Sequence, residues 1–381
     1  MSDYPRIRNK RILITGGAGF IGSNLVDHFL SLGHKIVCLD NLETGFEKNI
    51  QHHYSNPDFT FIKGDIRNLE TCKRAIEGCD YVLHQAALGT VPRSIKEPAT
   101  TNEVNITGFL NMLIAARDAN VKRFVYAASS STYGDSKKLP KVEDEIGKPL
   151  SPYAITKYVN ELYADVFAKT YGMQCIGLRY FNVFGKRQDP NGSYAAVIPL
   201  WVKELMRYRS PIINGDGSYS RDFTYIENVV QANEKALFTS DEMIIKGQYE
   251  YYNMELETHK YFTTEGGGIE TESGIEPIRP IAPSHLDSYR NRSVVFSEVF
   301  NIAFGGNTNL LQLFEALKDN LAKSDAKIQS IKPKFGPFRA GDIPHSQASI
   351  KKAEMILNYI PLYNAAKGFE KAAEWYFTNI V

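Results

Sequence analysis

The sequence predicts an α/β protein, a doubly wound parallel sheet formed by the first half of the chain and followed by a smaller lobe. Three observations predict it. Short apolar runs alternate with amphipathic stretches from Arg11 to Ala128, a glycine loop follows the first run, and an acidic residue closes the second. Strands alternating with helices favour right-handed crossovers, which cover both faces of a sheet and leave ligands to bind at the strands' carboxyl ends.

The first strand is Arg11-Ile-Leu-Ile-Thr15, followed by Gly16-Gly-Ala-Gly19-Phe-Ile-Gly22 and an amphipathic stretch to Leu32 stopped by Gly33. Gly17, Gly19 and Gly22 fit G-x-G-x-x-G, while Gly16, Gly19 and Gly22 fit T-G-x-x-G-x-x-G. Glycines permit the tight turn and close approach to a pyrophosphate, whose charge meets the helix N-terminus. Lys35-Ile-Val-Cys-Leu39 is the second strand and ends in Asp40. An acid about 20 residues beyond the loop accepts from an adenosine ribose hydroxyl and repels a 2′-phosphate, so the reading is a Rossmann-type domain for NAD rather than NADP.

Phe59-Thr-Phe-Ile62 leads to Asp65 and Ile66, placed for the adenine edge. Tyr81-Val-Leu-His84 leads to Gln85, Ala86 and Ala87, small residues where a cofactor passes closely. His84 reads as a buried strand-end histidine, since no partner has metal-ligand spacing. A helix is expected over Pro98–Ala119, and Phe124–Ala128 then delivers Ser129, Ser130 and Ser131. Tyr153 and Lys157 stand at i and i+4 and share a helix face. A neighbouring cation favours the phenolate, so the Tyr153 pKa is expected to fall from about 10 towards a range useful for a general base. A serine hydroxyl from the preceding strand end could share the substrate's proton.

Beyond Asn182 the pattern turns irregular, with helices expected over Tyr194–Tyr208, Ile226–Phe238 and Leu310–Leu321 and no clean linker. The expected division is 1–182, a dinucleotide domain containing the Tyr/Lys helix, and 183–381, mainly a second lobe interleaved with the main sheet.

Composition removes several function classes. The 44 basic residues nearly match the 43 acidic ones, for a formal net charge of +1, which gives no electrostatic case for nucleic acid or an anionic membrane as partner. Cys38, Cys72, Cys79 and Cys175 show no Cys-x-x-Cys spacing, so neither a disulfide framework nor a metal site is expected. The first residues lack the apolar core of a signal peptide, and no apolar run approaches the ~20 residues of a membrane span. The expectation is a soluble, cytoplasmic protein.

With Thr15-Gly-Gly-Ala-Gly-Phe-Ile-Gly22, Ser129 and Tyr153-x-x-x-Lys157 in place, the chain resembles the extended short-chain dehydrogenase/reductase family, and within it the UDP-hexose 4-epimerases. His84-Gln-Ala-Ala-Leu-Gly-Thr-Val-Pro-Arg-Ser94, Ala127–Asp135, Leu178-Arg-Tyr-Phe-Asn-Val-Phe-Gly185 and Arg187-Gln-Asp-Pro-Asn-Gly192 are similar to bacterial UDP-N-acetylglucosamine 4-epimerases of surface-polysaccharide (O-antigen) synthesis. The resemblance covers nearly the whole chain. It implies Tyr153 as the base for the sugar 4-hydroxyl, Lys157 as its pKa partner and nicotinamide-ribose ligand, and Ser129 as the proton-sharing serine. It further implies Gly16, Gly19, Phe20, Ile21, Asp40, Asn41, Thr44, Gly45, Asp65, Ile66, Gln85, Ala86, Ala87, Tyr180 and Val183 around NAD. Gly89, Ser94, Ser130, Ser131, Asn182, Ala196, Val197, Ile198, Ile213 and Asn214 are implied around a UDP-sugar. Arg221 and Arg339 match diphosphate-clamping arginines, a role that a planar guanidinium suits, and Asp342 matches a uridine-ribose contact.

The implied reaction moves hydride from sugar C4 to NAD as Tyr153 takes the O4 proton. The resulting 4-keto sugar turns about its diphosphate link and receives the hydride on its other face. Ser346 stands where the family sets room for the C2 substituent, and a small serine there implies UDP-GlcNAc/UDP-GalNAc. UDP-glucose/UDP-galactose and UDP-glucuronate remain the alternatives, with a non-enzymatic NAD sensor as the reading from another class. A homodimer through the 98–119 and 153–171 helices is implied by analogy. One departure stands out, an additional segment from about Tyr249 to Ser297. Gly266-Gly-Gly268 and the proline-rich 275–284 stretch read as linker, while Tyr249, Tyr251, Tyr252, Tyr261 and Phe262 suggest packing. Its role stays open between a cleft cover, an oligomer contact and no catalytic part.

Overall fold

The computed structural model describes residues 7–191, 196–263, 270–271, 274–275, 296–338 and 343–379, with the backbone alone for 255–263, 270–271 and 274–275. Six strands, β1 (Arg11–Thr15), β2 (Lys35–Asp40), β3 (Phe59–Lys63), β4 (Tyr81–His84), β5 (Arg123–Ser129) and β6 (Cys175–Tyr180), are joined by helical crossovers. A seventh, Ser297–Ile302, comes from the second half of the chain and lies against β6. The order is Ser297–Ile302, β6, β5, β4, β1, β2, β3, with every neighbouring pair parallel.

Parallel strands covered by helices on both faces must be apolar on both, which is why the runs are continuous rather than alternating. In β1, Ile12 and Ile14 belong to one apolar layer and Leu13 to the other, and all three are fully buried. The first layer continues into α1 (Phe20–Ser31) and the helix Ile226–Phe238. The second continues into α2 (Leu69–Ile76) and the helix over residues 108–118. The strand order reverses at β1, with β2 on one side and β4 on the other, so a crevice opens there at the carboxyl ends.

The expected Pro98–Ala119 helix differs in detail. After α3 (Val91–Lys96) come α4 (Pro98–Asn102), one π turn (Glu103–Thr107) and α5 (Gly108–Asp118). A π turn leaves a carbonyl out of the helical ladder, and here the Asn160 amide donates to Asn105 O at 2.7 Å. Asn160 lies on α6 (Pro152–Tyr171). That helix begins one residue before the expected 153: Ser151 Oγ accepts from Ala154 N at 3.1 Å, Pro152 occupies the first turn, and left-handed Gly172 ends it.

In the second half, the expected Ile226–Phe238 helix forms with those bounds, and the expected Leu310–Leu321 helix runs Leu310–Ala322. The helix expected from Tyr194 is described over Val197–Met206, and Tyr194 itself lies outside the described residues. A helix, Asp241–Thr263, runs through the first part of the additional segment, because no glycine or proline interrupts the chain between Gln248 and Thr263. Tyr251 is buried on it and Tyr249 exposed. Glu270–Thr271 pairs antiparallel with Gly274–Ile275. Gly266-Gly-Gly268 and residues 276–295 lie outside the described residues.

Candidate active site

A cavity of about 580 Å³ opens at the carboxyl ends of the central strands, between the glycine loop, the ends of β2 to β5 and the start of α6. Two glycines shape its floor. Gly16 has φ +67°, and a Cβ there would stand 2.7 Å from Ala86 N, while one on Gly22 would stand 2.1 Å from Gly16 O. Side chains are thus excluded at both positions, and the first turn of α1 folds directly onto the loop with its N-terminus facing the cavity. Asp40, 7 % exposed at the end of β2, accepts from Ala18 N at 2.9 Å and Leu42 N at 2.8 Å. Burial pushes its carboxyl up, against those two backbone bonds that hold it down.

At the end of β3, the Arg67 guanidinium bonded to Asp65 is the main cause holding that carboxyl down to about 2, and Asn41 donates to it at 3.0 Å. Phe20, Ile21, Thr44, Ile66, Gln85, Ala86, Ala87 and Val183 line the same cavity. Tyr180 joins them, its hydroxyl donating to Gln85 Oε1 at 3.3 Å and accepting from the Asn233 amide at 2.9 Å. Gly45 does not line it; a Cβ there would meet Ala18 C at 2.8 Å, so this glycine packs behind the loop. A cradle closed to side chains, a helix N-terminus and the Asp40 carboxylate at the end of the second strand together fit NAD.

Ser129, Tyr153 and Lys157 meet on the opposite wall. The Ser129 side chain acts on the Tyr153 phenol, drawing its pKa down, and its hydroxyl accepts from Ser131 Oγ at 2.9 Å. Lys157 is 4 % exposed, and its Nζ donates to Ala127 O at 2.8 Å. The sequence predicts a phenol pulled down by Lys157, but the balance here runs the other way. Burial pushes Tyr153 up, and Ser129 rather than Lys157 holds it back. The lysine is engaged by Ala127 O and stands 6.0 Å from the centre of the phenol ring. Burial lowers Lys157 itself to about 8, with Glu161 opposing. His84 is buried, pushed down to about 3 by desolvation and bonded through Nδ1 to Thr15 Oγ1 at 2.9 Å, so it is a neutral packing group.

Of the residues expected around the sugar nucleotide, Gly89, Ser130 and Asn182 line the cavity. Asn182 has φ +36°, and its amide donates to Asp222 O at 3.1 Å. Arg221 and Ser346 are brought together on two short parallel strands, Ser220–Arg221 and His345–Ser346, at the same register. Ile213 and Asn214 sit on a strand paired with Lys334–Gly336, Ile213 fully buried and Asn214 half-buried. Ala196 and Val197 open the helix Val197–Met206, where Ile198 is buried. Ser94 is also buried, its hydroxyl donating to Val91 O at 2.8 Å inside α3. Ser131 is turned to Ser129, and Arg339 and Asp342 lie outside the described residues.

The structure adds residues to which the sequence assigns no role. Leu88, Thr90, Val104 and Gln188 line the cavity. Asn105 binds both backbone groups of Leu88, at 2.8 and 3.0 Å, and so joins the strand-end loop to α6. Asp222, fully buried beside Arg221, accepts from Phe304 N, Gly305 N and Ala348 N. Burial pushes it up to about 6 against those bonds. Neither Asn105 nor Asp222 belongs to a spacing pattern, so only neighbours distant in sequence reveal them.

The family model for the NAD dependent epimerase/dehydratase family matches residues 12–251. Among solved structures, the chain is similar to a UDP-N-acetylglucosamine 4-epimerase from Methanobrevibacter ruminantium at 30% identity and TM-score 0.76, covering 98% of this chain and 99% of that one. A UDP-glucose 4-epimerase from Thermotoga maritima, with UDP-glucose, matches at 30% and TM-score 0.76, covering 97% and 100%. A UDP-glucuronic acid 4-epimerase from Bacillus cereus, with UDP-glucuronic acid and NAD, matches at 26% and TM-score 0.73, covering 97% and 99%. The cradle, the Ser129–Tyr153–Lys157 wall and the full-length match agree: the chain belongs to the NAD-dependent epimerase/dehydratase family, within the extended short-chain dehydrogenases/reductases.

Proposed function

We propose that the chain is an NAD-dependent UDP-sugar 4-epimerase whose preferred pair is UDP-GlcNAc and UDP-GalNAc. The observation that carries this reading is one cavity in which a dinucleotide cradle faces a serine, a tyrosine and a lysine. NAD, when bound, supplies the acceptor of the C4 hydride and its return. Tyr153 takes the O4 proton, and Ser129, which already draws the phenol's pKa down, steadies it during transfer. Lys157, a cation at neutral pH on the same helix, stabilises the phenolate as it forms. Residues 1–182 hold the cofactor and 183–381 mainly the substrate, with Arg221 and Arg339 gripping the diphosphate and leaving the sugar free to turn.

The choice of sugar rests on the family resemblance at Ser346, a small residue paired in register with Arg221, which on this reading would leave room for an N-acetyl group. Purified protein is incubated with UDP-GlcNAc, UDP-Glc and UDP-glucuronate, and C4 epimers are read by NMR. Fastest conversion of the acetylated sugar supports the proposal; faster reaction of either other sugar overturns the substrate, and no reaction with any of them overturns the epimerase. Ser346→Tyr tests the pocket separately, and unchanged turnover of UDP-GlcNAc would remove that argument. We further propose a cytoplasmic homodimer, with α6, which carries exposed Ile155, Leu162 and Val166, in the interface; separately, among the described residues no helix is long and apolar enough to cross a membrane.

A further inference from the structure

We propose that Asp27, His52 and His53 form a binding site for a first-row transition-metal ion such as Zn2+, on the outer side of the dinucleotide domain. Asp27 lies on α1, and the two histidines on the 3₁₀ turn Gln51–His53. His53 Nε2 is 2.8 Å and His52 Nε2 3.2 Å from the same oxygen, Asp27 Oδ1. The three ligand atoms lie within 4.8 Å of one another. A tetrahedral ion with bonds of about 2.0–2.1 Å holds its ligands roughly 3.3–3.4 Å apart. The two N···O spacings, 2.8 and 3.2 Å, fall just short of that value, so small side-chain rotations outward suffice to admit the ion.

The second oxygen is already committed. Asp27 Oδ2 pairs with Arg187 Nη2 at 2.8 Å and Lys186 Nζ at 3.5 Å, and Arg187 also donates to Ser23 O at 3.0 Å. These contacts fix the carboxylate so that Oδ1 is turned to the imidazoles, as an outer-shell partner does for a metal ligand. They also put two positive charges nearby, which disfavours ions held mainly by charge. Two imidazoles and one carboxylate oxygen therefore select Cu2+, Ni2+ or Zn2+ over Mg2+ or Ca2+. His53 is anchored against Phe59, ring centres 5.6 Å apart, while His52 is 46% exposed and leaves solvent access to complete the coordination.

The site would fasten together two elements that frame the cofactor cleft. Phe46 N and the Asn49 amide both donate to Ala18 O in the glycine loop, at 3.0 and 2.9 Å, so the 46–53 segment already leans on that loop. An ion bridging His52 and His53 to α1 closes the same contact from outside. The sequence hides it, because Asp27 is separated from the histidine pair by a strand and a loop and forms no ligand spacing with it.

The test uses untagged protein as purified, with its cofactor, and Zn2+ titrated against a chromophoric chelator, with Mg2+ as a second arm and Co2+ absorption as the spectroscopic probe. One Zn2+ per chain is expected, with affinity falling at least about ten-fold in His52→Gln and in His53→Gln. Mg2+ should not compete, and Co2+ should develop a low-symmetry visible band that both variants lose. His52 is exposed enough that its replacement leaves the fold intact, which circular dichroism verifies. Zn2+ affinity equal in wild type and both variants, or no Zn2+ bound by the wild type, overturns the proposal.

Discussion

Replacing Asn105 with alanine isolates the device that holds the strand-end loop to α6. Asn105 is 2 % exposed, and Leu88, whose N–H and C=O it satisfies, is 3 % exposed. The substitution orphans both backbone groups away from water, at about 1–3 kcal/mol each, so the expected loss is about 2–6 kcal/mol. Thr156 loses one donor but keeps its own bond to Tyr153 O, so it adds little. A water entering the vacated space would bring the loss to the lower end of that range. The assay is urea unfolding at fixed NAD concentration, because a ligand that binds the native state shifts the midpoint by itself. The midpoint should fall with the slope unchanged. Asn105→Asp still accepts from Leu88 N but cannot donate to Leu88 O, and should be no more stable than the alanine variant. A loss below about 1 kcal/mol for Asn105→Ala would refute the reasoning, since it would mean that Leu88 finds other partners at no cost.

Tyr153→Phe keeps the ring and removes the proton acceptor; turnover should fall by about 10²–10⁴ with KM nearly unchanged, and a fall in affinity alone would assign Tyr153 to binding. Asp40→Ala should weaken NAD and narrow the preference over NADP, read by fluorescence titration with both; an unchanged ratio would detach Asp40 from the ribose. His84 provides a pH test. Its folded pKa of about 3 lies below the ordinary 6.5, so its contribution is complete above pH 6.5 and is lost as the pH falls and the unfolded chain takes up the proton. Between pH 7 and 5 the wild type should lose about 2 kcal/mol more than His84→Asn in urea unfolding; equal losses would show that His84 is not held neutral.

Much of the site was legible because its parts are local. The glycine loop, Asp40 at the second strand's end, and the Tyr153–Lys157 pair each need only a few consecutive residues, and the alternation of apolar runs orders the strands around them. In the additional segment the aromatic residues point to packing without showing its form, and the helix Asp241–Thr263 takes in its first part.

By itself the sequence determined the doubly wound sheet, the cradle and the chemical types on the Ser129–Tyr153–Lys157 wall, since backbone freedom, apolar period and i, i+4 spacing are local properties. Tertiary structure alone decided the ionisation of that wall. Burial raises Tyr153 and lowers Lys157, and the lysine's bond to Ala127 O sets how far it stands from the phenol. It alone also joined Asn105 to Leu88, Asp222 to the backbone beside Ser346, and Asp27 to two histidines. Desolvation and hydrogen bonding depend on which segments fold against one another, and a spacing pattern holds no information about residues that meet across the sheet.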